Sequence, residues 1–188
     1  MKVEFLAHSK SMETLPKPYL PEIAFVGKSN AGKSSLINAL VGQKIARSSS
    51  TPGRTQGLVL FKVRPNLVFV DFPGYGYAKI SKKEREDWKV LAERYFQERR
   101  TLKKTIWIYD IRRDPDPLDF QMKEWLVSQG KPFRLALTKI DTLKRGEWPK
   151  RQKAIEGALE LEEEDTLLFS SPLKEGVKPL WRWIDASV

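Results

Sequence analysis

The 188-residue sequence predicts an α/β fold in three layers: a mostly parallel sheet of six strands, one of them antiparallel, with helices on both faces. Three observations lead there. Short apolar runs alternate with amphipathic stretches of helical period along the chain. Two of those runs, 57–63 and 67–71, are separated only by Arg64-Pro65-Asn66, a spacing that suits an antiparallel hairpin. A glycine-rich turn lies directly between the first buried run and the first helical stretch.

Taken in order, residues 1–20 read as a polar, partly flexible leader ending in Leu15-Pro16-Lys17-Pro18, and residues 21–188 as a single domain. His8 falls in the leader and takes no role. Glu22-Ile23-Ala24-Phe25-Val26-Gly27 is apolar between Pro21 and the glycine-rich turn, as a short buried strand should be. A helix is expected over 33–41, then the hairpin. In 81–104 the apolar residues Trp88, Leu91, Ala92, Tyr95 and Phe96 recur on one helical face among charges, which predicts a long amphipathic helix. Strands follow at 105–110, 133–138 and 166–169, with helices near 118–129, 147–161 and 177–186. The acidic run at 162–165 reads as a solvated helix end. In the last helix, Trp181 and Trp183 cannot share one face closely, so at least one must pack into the core.

Composition narrows the chemistry. There is no cysteine and one histidine, so thiolate and imidazole metal clusters are not expected, and a metal would use oxygen ligands. No run approaches the eighteen or so uncharged apolar residues of a membrane-spanning helix, and the expectation is a cytoplasmic, monomeric protein with no membrane partner. The formal charge of +10 favours contact with a polyanion, RNA first.

Gly27-Lys28-Ser29-Asn30-Ala31-Gly32-Lys33-Ser34 is a glycine, four residues, then Gly-Lys-Ser, set between strand and helix. Such a phosphate loop curls its backbone so that successive N–H groups face an anion, and the helix start adds its positive end. Lys33 is expected on the β- and γ-phosphates and the Ser34 hydroxyl on Mg²⁺. Asp71-Phe72-Pro73-Gly74 closes a strand, where the carboxylate can meet the metal shell through water and the Gly74 N–H can sense a γ-phosphate. Between them, the polar loop 48–56 includes Thr55, a candidate second hydroxyl for the metal. Thr138-Lys139-Ile140-Asp141 follows a strand, and the Asp141 carboxylate can accept two hydrogen bonds from guanine that adenine cannot donate. Phe169-Ser170-Ser171 would stand by the base oxygen.

This motif order resembles the translation-factor-related P-loop GTPases of the TrmE-Era-EngA-EngB-Septin-like group, whose fold is the three-layer G domain. The stretches 21–38 and 71–78, with a short leader and no appended domain, resemble the EngB (YihA/YsxC) bacterial GTPases. The resemblance implies slow hydrolysis of GTP to GDP, Mg²⁺ as cofactor, and a role in assembling the large ribosomal subunit, with loss impairing growth, division and septation. It implies nucleotide contacts from Gly27, Lys28, Ser29, Asn30, Ala31, Gly32, Lys33, Ser34 and Ser35. Further contacts are implied from Gly53, Arg54, Thr55, Gln56 and Gly57, from Asp71, Phe72, Pro73 and Gly74, from Thr138, Lys139, Ile140 and Asp141, and from Phe169, Ser170 and Ser171. Lys33, Thr55 and Gly74 would be catalytic, and Ser34, Thr55 and Asp71 would serve the metal. Tyr75 stands where Ras-type proteins carry the water-orienting glutamine, and Asn30 matches an asparagine that related GTPases use to hold K⁺. Two other readings compete: a nucleotide or small-molecule kinase with Arg112-Arg113 in a lid, and a non-catalytic RNA-binding module working through the last helix.

Overall fold

The computed structural model describes residues 2–46, 57–76 and 81–186. Among the described residues, seven strands form one sheet in the order β1-β3-β4-β2-β5-β6-β7. They are β1 (Glu4–Ser9), β2 (Glu22–Gly27), β3 (Leu58–Arg64), β4 (Leu67–Asp71), β5 (Leu102–Asp110), β6 (Phe133–Thr138) and β7 (Thr166–Leu168). The helices are α1 (Lys33–Val41), α2 (Lys82–Glu98), α3 (Pro117–Ser128), α4 (Trp148–Leu159) and α5 (Val177–Asp185). β4, β2, β5, β6 and β7 pair in parallel, and β3 lies antiparallel between β1 and β4.

The seventh strand comes from the segment read as a leader. β1 adds to the free edge of the hairpin, His8 pairing with Val59 and Phe5 with Phe61, and the Phe5 and Phe61 rings meet edge to face. Its pairing is wholly non-local and only Ser9 of it is buried, so no apolar alternation marks it.

Two apolar layers sandwich the sheet. On one face Leu91, Ala92, Tyr95 and Phe96 of α2, Met122 and Leu126 of α3, and Ile155 and Leu159 of α4 cover Val68, Val70, Trp107 and Tyr109. On the other, Leu36, Ile37 and Leu40 of α1 and Leu180 and Ile184 of α5 cover Ile23, Phe25, Phe69 and Ile106. Trp181 and Trp183 both pack against this second layer. Trp181 stacks on Phe69 and donates to the Leu40 carbonyl at 3.0 Å, while Trp183 is flanked by the cations of Lys104 and Arg134.

α2 ends at Glu98 rather than at Lys104, and the reason is tertiary. The Arg99 guanidinium turns inward onto the Glu22 carboxylate, with Nη2 at 2.8 Å and Nε at 3.0 Å, and the Tyr95 hydroxyl donates to the same carboxylate at 2.6 Å. Glu22 then pairs in register with Leu102, which is buried in the core, so 102–104 begin β5 instead of extending the helix.

Candidate functional site

β2, β4, β5 and β6 run parallel, so their carboxyl ends, Gly27, Asp71, Asp110 and Thr138, share one rim of the sheet. The glycine-rich loop leaves β2 at this rim. A Cβ on Gly27 would stand 2.8 Å from the Ile108 carbonyl oxygen of β5, so only glycine lets the strands approach this closely. The loop then turns through positive φ at Asn30 (+63°) and Gly32 (+97°). α1 starts with no side-chain cap and no acidic residue in its first turn, whereas α2 and α3 both carry capping boxes. Its positive end is thereby suited to an anion.

The loop is held from two sides. From β4, the Ser29 N–H donates to the Tyr75 carbonyl at 3.0 Å and the Tyr75 N–H to the Gly27 carbonyl at 3.2 Å. Gly74 sits against Ser29 so closely that a Cβ would lie 3.1 Å from the serine's backbone nitrogen. The Trp88 indole of α2 donates to the Pro73 carbonyl at 2.9 Å, and the buried Tyr75 hydroxyl accepts from Trp107 Nε1 at 2.8 Å. Burial pushes the Tyr75 phenol far above its ordinary pKa, so it stays protonated and anchored in the core. From β6, the Thr138 hydroxyl lies 2.5 Å from the Ala31 carbonyl and 3.0 Å from that of Tyr109, and Lys139 Nζ donates to the Asn30 carbonyl at 2.6 Å.

The expected residues sort as follows. Lys33, at the first turn of α1, is ion-paired with Asp71, and Ser34 belongs to the same turn. Phe72 is buried, its N–H bonded to the Phe25 carbonyl. Ile140 is a buried anchor that lets Asp141 stand at the rim, where Ser170 Oγ donates to Asp141 Oδ1 at 2.7 Å and orients the carboxylate. Phe169 is in the core, and Ser171 is half-buried. Gly57 is described, whereas Gly53, Arg54, Thr55 and Gln56, and the rest of loop 48–56, lie outside the described residues.

Lys28 shows something the spacing did not. Its side chain leaves the loop for the start of α3, pairing with Asp116 at 2.6 Å and with the fully buried Asp119 at 2.9 Å. Arg112 and Arg113 are not poised as a lid: they pair with Asp110 at 2.6 Å and Asp116 at 2.9 Å.

Asp110 carries a consequence for pH. Burial pushes its carboxyl up, but hydrogen bonds from Arg112 and then Lys139 outweigh that and hold it at about 2. A carboxylate depressed on folding contributes stability above its unfolded pKa of about 3.9, and that contribution fades as pH falls toward the folded value. Melting temperature is therefore expected to respond less to pH below about 4 in Asp110→Asn than in the parent chain. Parallel acid profiles of the two would contradict this.

A family model described as a 50S ribosome-binding GTPase matches residues 22–139. "Probable GTP-binding protein EngB" of Lactiplantibacillus plantarum is 42% identical over 186 residues, covering 98% of this chain and 94% of that one. The chain belongs to the EngB family of GTP-binding proteins. The Bacillus subtilis EngB relative is 43% identical over 182 residues, 96% of this chain and 93% of its own. Among solved structures, a probable GTP-binding protein EngB aligns with TM-score 0.71 at 22% identity over 87% of this chain and 96% of that one. Era in complex with MgGDPNP and nucleotides 1506–1542 of 16S ribosomal RNA aligns at 0.70 and 24% identity, over 89% and 56%. At those identities the two structures establish a shared fold.

The resemblance read from the motifs is thus confirmed, and as an EngB-family GTPase the chain binds guanine nucleotides and hydrolyses GTP. The mostly parallel α/β sheet agrees as well, with seven strands where six were expected. Among the described residues no helix is long and apolar enough to cross a membrane.

Proposed function

We propose that this chain is a slow GTP-hydrolysing switch of the cytoplasm that assists assembly of the large ribosomal subunit, and whose loss impairs growth, division and septation. The observation that carries the reading is the mechanical link from the nucleotide rim to α2, through Trp88 and the Pro73 carbonyl three residues before Gly76. A change at Asp71 or Gly74 would be passed by that link to a long, charged helix with an exposed face. The family description names a 50S ribosome-binding GTPase, the Era structure holds ribosomal RNA, and the charge of +10 suits an RNA partner. In this reading 21–188 act as one G domain, with β1 completing its sheet edge.

The residue roles follow from the rim. Amides of the loop and the α1 start cradle the phosphates, while Lys33 exchanges the Asp71 carboxylate for β- and γ-phosphate oxygens. Gly74, seated on Ser29, offers its N–H to the γ-phosphate, and Asp141, oriented by Ser170, reads guanine. The oxygen donors fit a hard cation: Mg²⁺ held by Ser34, by Asp71 through water and by Thr55 would neutralise charge between the β- and γ-phosphates. With the Tyr75 hydroxyl engaged by Trp107, the side chain at position 75 is not free to orient water, and turnover is expected on the order of 10⁻⁴ to 10⁻² s⁻¹. Asn30, at the loop turn, would hold K⁺ beside the phosphates, a part of the proposal that equal rates in K⁺ and Na⁺ would remove.

Fractionating cell extract in GTP, GDP or a non-hydrolysable GTP analogue tests the switch. The chain is expected to travel with large-subunit particles in the analogue and to leave them in GDP. An identical distribution in all three would refute it.

A further inference from the structure

We propose that Asp110 is a positioning residue of the nucleotide site, acting through Lys139 to lock the phosphate loop to the guanine-reading loop. β5 lies between β2 and β6, the two strands whose ends carry those loops, so the last residue of β5 stands between them. Asp110 is 4% exposed there. Its Oδ2 faces Lys139 Nζ at 2.9 Å, and the same ammonium donates onward to the Asn30 carbonyl at 2.6 Å.

Lys139 is held in a left-handed backbone turn, φ +63°, and its side chain is partly exposed. A lysine is a flexible stem bearing a strongly hydrated charge, so without a counter-charge its head group would favour water over one carbonyl. Asp110 supplies that charge from a buried, fixed position. Arg112 contributes on the other side: its N–H and Nε bond to Oδ1 at 3.1 and 2.9 Å and Nη2 to Oδ2 at 2.6 Å, so the carboxylate cannot rotate away. Downstream, Lys139 and Thr138 engage the successive carbonyls of Asn30 and Ala31. Since a peptide's C=O and N–H point in opposite directions, holding the Ala31 carbonyl toward β6 turns the Gly32 N–H the other way, into the loop.

The inference rests on the guanine-nucleotide reading of this site. The competing role for Asp110 is to stitch the 110–113 turn through Arg112, and release of a fluorescent GDP from the full chain separates the two. Asp110→Asn is expected to release GDP about tenfold faster than the parent, the scale of one charge-assisted hydrogen bond. Lys139→Met should do the same or more, and the double variant should be no faster than Lys139→Met alone. Arg112→Ala, which lets the carboxylate turn but leaves its charge beside Lys139, should speed release about two- to threefold, well short of Asp110→Asn. Release from Asp110→Asn at the parent rate, additive effects in the double variant, or Arg112→Ala matching Asp110→Asn would each overturn the proposal. If circular dichroism finds Asp110→Asn unfolded, Asp110→Glu, which displaces the charge by one methylene, decides: faster release supports the role and an unchanged rate overturns it. A parent chain that failed to retain GDP would instead strike the nucleotide reading itself.

Discussion

Asp141→Asn should weaken GDP binding by about 3–6 kcal/mol, roughly 10²- to 10⁴-fold, because two charge-assisted hydrogen bonds of about 1.5–3 kcal/mol each are at stake. The carboxylate is an acceptor only, and Ser170 Oγ already occupies Oδ1 at 2.7 Å, which fixes how the group faces the base. Guanine presents two donors, its N1–H and its exocyclic amine. An amide at 141 answers one of them and opposes the other with a donor of its own. Xanthine replaces that amine with a carbonyl, so the same variant should gain affinity for xanthosine diphosphate. Competition titrations against a fluorescent GDP measure both. Equal GDP affinity in the variant and parent would mean that Asp141 does not read the base.

Arg99→Met is expected to be the most damaging single change to stability, about 3–5 kcal/mol, the usual cost of leaving a buried charge without its partner. Glu22 and Arg99 are 2% and 5% exposed, and the pair is reinforced by the Tyr95 hydroxyl at 2.6 Å. For a domain of this size that is a fall in melting temperature on the order of 10 °C. Adding Glu22→Gln to Arg99→Met should recover much of the loss, since it removes the orphaned charge. The Arg99 guanidinium also donates to the Pro16 carbonyl at 2.8 Å, so the variant should loosen the segment that carries β1. A melting temperature within a degree or two of the parent's would show that water already solvates this pair.

The parts of the site that could be read from the sequence are those whose chemistry fixes local spacing. Gly27 to Ser34 must present amides to an anion within one turn, and Asp141 must follow the end of a strand, so both motifs survive without knowledge of what surrounds them. The helical face of Leu91, Ala92, Tyr95 and Phe96 was equally legible, because one core contacts all four. What escaped depends on partners far along the chain. The boundary of α2 is set by Glu22, and β1 is a strand only because β3 offers an edge. Lys28 looked like one more loop residue until the start of α3 was placed beside it. Asp110 read as a strand end, and nothing near it in sequence announces Lys139.

Whether this rim of the sheet selects guanine nucleotides can be read from calorimetry of the intact chain in Mg²⁺ with GDP and then ADP. A saturable heat of one site is expected for GDP and none for ADP at the same concentrations. Comparable heats for both, or none for either, would contradict it.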